Sequence, residues 1–375
     1  MSSPQDTSQA IQEQEVIKSI RISRALWPVL IGIGVVGYLL WKQFDIREFR
    51  KIDWTFNSFL AILLAIMIMM CKHLAYSYRL WILSEKQFTF LKCIQLIFIW
   101  EFSSAIAPTA VGGSAVALFA LSQEKLSTAR TAVIVIYTAI LDSYFFVITL
   151  PILYLIFGPE MIYPDLKSFD LSHVVVSALL TAYIFKVIYS TLFLYGLFIN
   201  PRQTKKLLVA LSSLPFVRRW KNNAEAFGDE LILASQDIKG KPFSYHFKAI
   251  MATIVAWMAR FFILVVLILG IIGGLERGFW VVAELYARVE TMFMTIMFSP
   301  SPGGAGIIEL VFGGFLKDYV PKGVSLIIAT IWRLISYYFY LIAGVIIVPN
   351  WLNKILRERA QKKKATAAVD SDPVL

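Results

Sequence analysis

Apolar residues along this chain gather in long blocks, not in the alternating pattern of half-buried strands. Blocks with few charges run near 25–41, 55–78, 129–157, 172–199, 247–271 and 323–349. A hydrocarbon core of about 30 Å takes roughly 20 apolar residues to cross as a helix, so six full spans are the minimum this pattern predicts. Two further blocks are interrupted. The block near 91–107 runs into Pro108-Thr-Ala-Val-Gly112-Gly113 and resumes only as Ser114 to Leu121. The block near 279–298 breaks at Pro300-Ser-Pro302-Gly303-Gly304-Ala-Gly306 and resumes as Ile307 to Leu316. Each resumed piece is too short to cross.

Composition agrees with the blocks. The 375 residues are 58% hydrophobic and 16% charged, with a mean hydropathy of +0.68, which is too apolar for a chain that folds in water. The expected fold is an all-α polytopic membrane protein of about six full helices plus two re-entrant hairpins. Its organisation reads as an N-terminal segment 1–24, a transmembrane domain 25–349 containing a basic loop 200–246, and a basic tail 350–375. No soluble catalytic domain is visible, and a chain of this kind is expected to transport, not to catalyse. The apolar run from Ala25 to Trp41 lacks a small-residue cleavage pattern after it and reads as a retained helix. Cys71 and Cys93 both lie in or beside apolar helices, so packing is their expected role and no disulfide framework or paired-cysteine metal site is predicted.

Charge sets the orientation. Lys18, Arg21 and Arg24 precede the first block, while Lys354, Arg357, Arg359 and Lys362 to Lys364 follow the last. Positive residues favour the cytoplasmic side, so both termini are expected there, in the cytoplasmic membrane. The loop from Asn200 to His246 has nine basic residues, counted as far as Lys248, against four acidic ones, and belongs on the same side. Glu160, Asp165 and Asp170 against a lone Lys167 suit the outer face. With these constraints the Pro108 break enters from the cytoplasm and the Pro302 break from outside, inverted relative to each other. Trp27, Trp41, Trp54, Trp81, Trp280 and Trp351 lie near block ends, where an indole keeps its ring in lipid and its N–H in the headgroup layer.

An unpaired backbone amide in hydrocarbon costs several kcal/mol, so a Pro and Gly-Gly break at membrane depth implies protein or water that satisfies it, and hence a cavity. Paired interruptions in two halves point to a midplane binding site, because half-helix ends aim their dipoles at bound charge. The alternative is that Pro108, Gly112, Gly113 and Ser114, and Pro300, Pro302, Gly303, Gly304 and Gly306, merely permit close helix packing. A weak internal repeat favours the cavity: Phe102-Ser-Ser-Ala-Ile-Ala-Pro108 resembles Phe293-Met-Thr-Ile-Met-Phe-Ser-Pro300. Asp142 lies 29 residues beyond Gly113, as Arg333 does beyond Gly304.

Ionisable residues at membrane depth cost at least about 2.5–3.5 kcal/mol each at a helix centre unless paired or hydrated. Glu101, Asp142, Lys186, Arg260, Glu309 and Arg333 qualify. Asp142, Glu309 and Arg333 are the first candidates for a cavity wall, with Glu101 and Arg260 beside them, and Asp142 with Arg333 is a candidate ion pair. Arg79, Arg130, Arg288 and Glu290 sit nearer block ends, where anchoring by snorkelling fits as well as function. Lys186 and Arg260 also have the reach to snorkel. His73, His173 and His246 have no partner at metal spacing and are read as incidental, so neither a metal nor a cofactor is expected. Leu207, Leu208, Leu211, Leu214 and Phe216 in the basic loop fit a helix lying on the anionic inner leaflet, and a solvated loop fits equally well. The Lys362 to Lys364 run reads as stop-transfer charge or a headgroup contact, and nucleic-acid binding finds no support.

Phe102-Ser-Ser-Ala-Ile-Ala-Pro108 to Gly113, Ala117-Leu-Phe-Ala-Leu-Ser122, Ser301-Pro-Gly-Gly-Ala-Gly-Ile-Ile-Glu309 and Trp332-Arg-Leu-Ile-Ser-Tyr337 together resemble the transmembrane, flippase-like region of the lysylphosphatidylglycerol synthase family. The resemblance spans roughly residues 20–350. It implies a stand-alone member without the aminoacyl-transferase domain and a role in moving a phospholipid or polyprenyl-phosphate-linked precursor. This chain departs from the family pattern at Thr138-Ala139, where Glu-Arg is usual shortly before the matched Asp, so headgroup specificity does not carry over. A carrier for a small soluble solute, and a non-transporting scaffold for a lipid-modifying membrane enzyme, are the competing functions. The sequence is silent on oligomeric state.

Overall fold

The computed structural model describes residues 52, 54–106, 112–124, 126–164, 166–214, 218, 221–297 and 307–370. The described residues are helical with no strand. In chain order the helices are α1 (Phe56–Leu83), α2 (Phe90–Ile106), α3 (Gly112–Ser122), α4 (Thr128–Phe157), α5 (Val174–Phe198), α6 (Pro201–Ser212), α7 (Lys221–Ile238), α8 (Phe243–Ile271), α9 (Phe279–Thr295), α10 (Ile307–Phe315), α11 (Lys322–Arg333) and α12 (Phe339–Asp370). A π-helical turn, Leu334–Tyr338, joins the last two.

Five helical stretches are long and apolar enough to cross a bilayer: Phe56–Leu83, Thr128–Met161, Val174–Phe198, Phe243–Ile271 and Val324–Ile355. They match five of the six expected spans, and the sixth, near 25–41, lies outside the described residues. The protein is an all-α polytopic membrane protein. Helices α2 and α3 pack against each other, as do α9 and α10. The two breaks themselves, with Pro108 in the first and Pro300, Pro302, Gly303, Gly304 and Gly306 in the second, lie outside the described residues. Gly112, Gly113 and Ser114 open α3.

The most extensive packing joins α1 to α8 as an antiparallel pair. Ser58 Oγ donates to the Gly270 carbonyl at 3.0 Å near one end, and Tyr245 Oη donates to the Leu83 carbonyl at 3.4 Å near the other. Gly270 allows this approach: a Cβ there would lie 2.1 Å from that of Ala61. Small residues at helix crossings let backbones approach where no hydrophobic force separates protein from lipid. The outward side of α1 is apolar, with Phe56, Phe59, Leu63 and Met67 exposed where lipid would lie.

Pro151 stands inside α4 and cannot bond to the carbonyl four residues earlier. That carbonyl, of Val147, is served instead by the Tyr183 hydroxyl from α5 at 3.1 Å. The prolyl interruption is thus absorbed by a neighbouring helix, as membrane helices require.

Apolar side chains form two clusters stacked along the helix axes. One takes Leu80 and Leu83 of α1, Val133 to Leu141 of α4 and Tyr245 to Ala256 of α8. The other takes Ala65 and Met69 of α1, Phe145 to Leu150 of α4 and Trp257 to Ile271 of α8. Lys72, His73 and Asp142 fall between them on their helices. Polar chemistry is concentrated at that seam.

In the basic loop, α6 and α7 are two helices packed on each other. The first is amphipathic, with Leu207 and Leu211 exposed and Lys205 paired to Asp229 at 2.5 Å. The segment that left a helix and a solvated loop equally open is thus helical. Its Phe216 lies outside the described residues.

Candidate functional site

Helical periodicity places Lys72, Tyr76 and Arg79 on one stripe of α1, at i, i+4 and i+7. The same spacing puts Thr253, Trp257 and Arg260 on one stripe of α8. Because the helices run antiparallel in close contact, the two stripes meet, and α2, α4 and α12 supply the partners.

Two ion-pair groups result. Arg79 Nη1 donates to Asp142 Oδ1 at 2.5 Å and to Thr253 Oγ1 at 2.9 Å, while the Trp257 indole donates to the same Asp142 oxygen at 2.9 Å. Arg260 Nη2 reaches both oxygens of Glu101, at 3.2 and 3.3 Å, and Lys72 Nζ donates to Glu101 at 3.4 Å. Tyr76 links the groups: the Arg79 guanidinium lies 4.9 Å from its ring centre, and Arg260 donates to its hydroxyl at 3.4 Å. The Arg260 guanidinium also lies 4.9 Å from the Trp257 ring centre, and Lys72 Nζ lies 4.6 Å from that of Tyr340. Cations over aromatic faces gain from the ring quadrupole, most where water is excluded.

His73 completes the wall. Its Nε2 donates to the Ile94 carbonyl at 3.2 Å, which leaves Nδ1 to accept from the Tyr340 hydroxyl at 3.1 Å. A carbonyl only accepts, so a ring protonated at Nε2 satisfies both bonds. The π-helical turn after Arg333 adds a residue to the register, and such turns recur at functional sites. From it Tyr337 Oη donates to the Ala105 carbonyl at 3.1 Å, close to where α2 ends. Gly344 on α12 permits that contact between helices, since a Cβ there would lie 2.1 Å from the Phe102 ring.

Electrostatically, three cations (Lys72, Arg79, Arg260) face two carboxylates (Glu101, Asp142), leaving an excess of one positive charge. The acids and Arg260 are not sealed. Their side chains keep 19%, 23% and 22% exposure, whereas Lys72 keeps 1%.

The expected site is only partly the observed one. Glu101, Asp142 and Arg260 come together. Asp142 pairs with Arg79 and Trp257 and not with Arg333, because α1 lies against α4 with Arg79 at its level. Arg333 is buried at the end of α11, its guanidinium 4.4 Å from the Tyr337 ring centre. The side chain of Glu309, on α10, lies outside the described residues. Sequence reasoning missed Lys72, Tyr76, Trp257 and Tyr340 and left Arg79 open between an anchor and a functional residue. The shared i, i+4, i+7 spacing on two apolar helices was the signal available for finding them.

The chain belongs to the family of the lysylphosphatidylglycerol synthase transmembrane region. The family's model matches residues 26–344. The chain is also similar to a UPF0104 membrane protein of Archaeoglobus fulgidus, 24% identical over 341 residues that cover 85% of this chain and 94% of that one. No solved structure matches. The matched region takes in every member of the charged network.

Ion pairs also tie the two ends of the bundle. At one, Arg130 at the start of α4 pairs with Glu85 and Asp237, each at 3.0 Å, and Lys241 joins Glu85. Glu85 and Lys86 hold positive φ angles of 52° and 61°, a backbone form that non-glycine residues seldom adopt. Burial by itself would raise the Glu85 carboxyl, but the hydrogen bond from Lys241 and the Arg130 charge hold it below its ordinary value. At the other end Arg288 pairs with Glu284 and Asp318, each at 2.8 Å. Arg130 and Arg288 are therefore buried cross-links and not snorkelling anchors. Lys186 lies with its ammonium 5.3 Å from the Phe146 ring centre. Two hollows lie away from the network. One, of about 260 Å³, is lined by Glu85, Lys86, Tyr245 and Lys248. The other, about 210 Å³ and apolar, lies beside Pro151 and Tyr183. Charge and chemistry, not volume, make the network the candidate site.

Proposed function

We propose that this protein moves a phosphate-bearing lipid, a phospholipid or a polyprenyl-phosphate-linked precursor, across the cytoplasmic membrane, with both termini cytoplasmic. The observation that carries this reading is the positively charged, partly open network at the seam between two apolar cores. A lone ion in hydrocarbon is costly, and a paired cluster with one charge in excess is what a headgroup phosphate would complete.

In this mechanism the phosphate takes hydrogen bonds from Arg260 and Lys72 in place of Glu101, and a guanidinium offers the forked geometry that phosphate prefers. Glu101 and Asp142 keep the cations in place while the site is empty or receive an amine of the headgroup. The acyl chains stay in lipid. The interrupted pairs α2–α3 and α9–α10 act as re-entrant, inverted hairpins whose half-helix N-termini, near Ser114 and Gly306, face the headgroup. Arg333 lines the second approach. The protein acts as a transporter and not an enzyme, and gradients supply any driving force.

The test is translocation of fluorescent phospholipids and of a polyprenyl-phosphate sugar in liposomes holding the full chain. Wild type should move at least one of them, and folded Arg260→Ala, Arg333→Ala and Glu309→Ala should lose that movement. A wild-type protein that moves no lipid but exchanges a small soluble anion would replace this reading with a solute carrier. Full transport by folded Arg260→Ala would remove the network from the mechanism. A protein that moves nothing, yet co-purifies with a lipid-modifying enzyme, would be the scaffold.

A further inference from the structure

Glu290 stands apart from the charged network. It lies on α9, is fully buried, and belongs to the helix face that packs against α4, α5 and α8. No Lys, Arg or His among the described residues lies within ion-pair distance of it. On its own helix, Glu284 and Arg288 are paired with each other, and Tyr286 is its polar neighbour one turn earlier. From α4 it meets Thr149. Lys186 of α5 lies over the Phe146 ring, and Arg260 of α8 is committed to Glu101. Glu160, in the turn after α4, is exposed, and the side chain of Glu309 on α10 lies outside the described residues.

Full burial without a cation beside it, together with the contact at Thr149, bears on the form of this carboxyl. Thr149 Oγ1 lies 2.7 Å from the Phe145 carbonyl, the back-bond that threonine commonly makes to the preceding turn, and it also contacts Glu290 Oε1. A hydroxyl has one hydrogen, which Thr149 gives either to the Phe145 carbonyl or to Glu290. In the first case the contact with Glu290 needs a hydrogen from the carboxyl, and in the second the carboxyl accepts one. An ionised Glu290 would instead leave a charge in hydrocarbon with neutral hydroxyls as its only company.

We propose that Glu290 is held as the neutral carboxylic acid and is a proton-binding site inside the membrane, separate from the charged network. Binding joins one proton to one carboxylate oxygen, and release returns it to water with no other bond changed. A reversible proton at this depth is what a carrier needs to draw on a proton gradient. The site itself is read without any transport measurement, so its failure and that of the lipid-moving reading are distinguishable.

The experiment is infrared spectroscopy of the full chain in lipid at neutral pH. The protonated-carboxyl stretch is expected in wild type, lost in Glu290→Gln, and shifted in Thr149→Val, which keeps the acid but removes its hydrogen-bond partner. Glu101→Gln and Asp142→Asn should instead lose carboxylate bands. Loss of carboxylate bands in Glu290→Gln, or an acid band unmoved in Thr149→Val, would overturn the proposal. Thr149→Val alone decides it if Glu290→Gln does not fold.

Discussion

At the scale of single residues, the cost of an unpaired charge in hydrocarbon governs what each side chain does. Glu101 answers two cations, so Glu101→Gln should strand Lys72 and Arg260 and destabilise the fold by about 3–5 kcal/mol, the usual cost of removing one partner from a buried pair. Thermal unfolding in detergent would measure it. Replacing both Arg79 and Asp142 by Met and Leu should cost less than either single change, because the second removes the charge left by the first; a double-mutant cycle checks this. Trp257→Phe keeps the ring contacts and removes only the indole donor to Asp142, and should cost about 1.5–3 kcal/mol, as hydrogen bonds to charged groups do. That Glu101, Asp142 and Arg260 are ionisable residues at depth was legible from the sequence. Their pairing was not, since Asp142 and Arg79 lie 63 positions apart and only the crossing of α1 and α4 joins them.

At the scale of elements, the site depends on how closely helices approach. Gly270→Leu would drive a side chain into Ala61 and should cost at least about 1–3 kcal/mol, pushing α8 off α1 and loosening the Arg79 and Arg260 contacts together. Gly344→Val should act likewise between α12 and α2, through Phe102. Reduced melting temperature with loss of lipid movement is the expected joint outcome, and melting alone unaffected would show that α1 and α8 can re-pack. Five spans were legible because a run of about 20 apolar residues has few other fates. The π-helical turn after Arg333 and the rescue of the Val147 carbonyl by Tyr183 were not. Both answer constraints set by neighbouring helices and leave no periodic trace in the chain.

At the scale of the whole molecule, buried cross-links at the two ends enclose a charged middle. The end network carries a pH signature. Because the Glu85 carboxyl is held below its ordinary value in the folded protein, its contribution is present above the ordinary glutamate range and is lost as pH falls through the lowered value. Wild type should therefore melt higher than Glu85→Gln at neutral pH, with the gap closing on acidification; a gap independent of pH would contradict this. By itself the sequence determined the membrane as solvent, the place of five long helices and several of the charges at depth, Glu101, Asp142 and Arg260 among them. Each of these follows from local composition and from the cost of polar groups in lipid. Only the tertiary structure decided that Lys72, Tyr76 and Arg79 meet Thr253, Trp257 and Arg260, that Asp142 answers Arg79 and not Arg333, and that Glu290 stays apart. Those outcomes depend on helix crossing and rotation, which packing between distant segments sets and hydropathy does not encode.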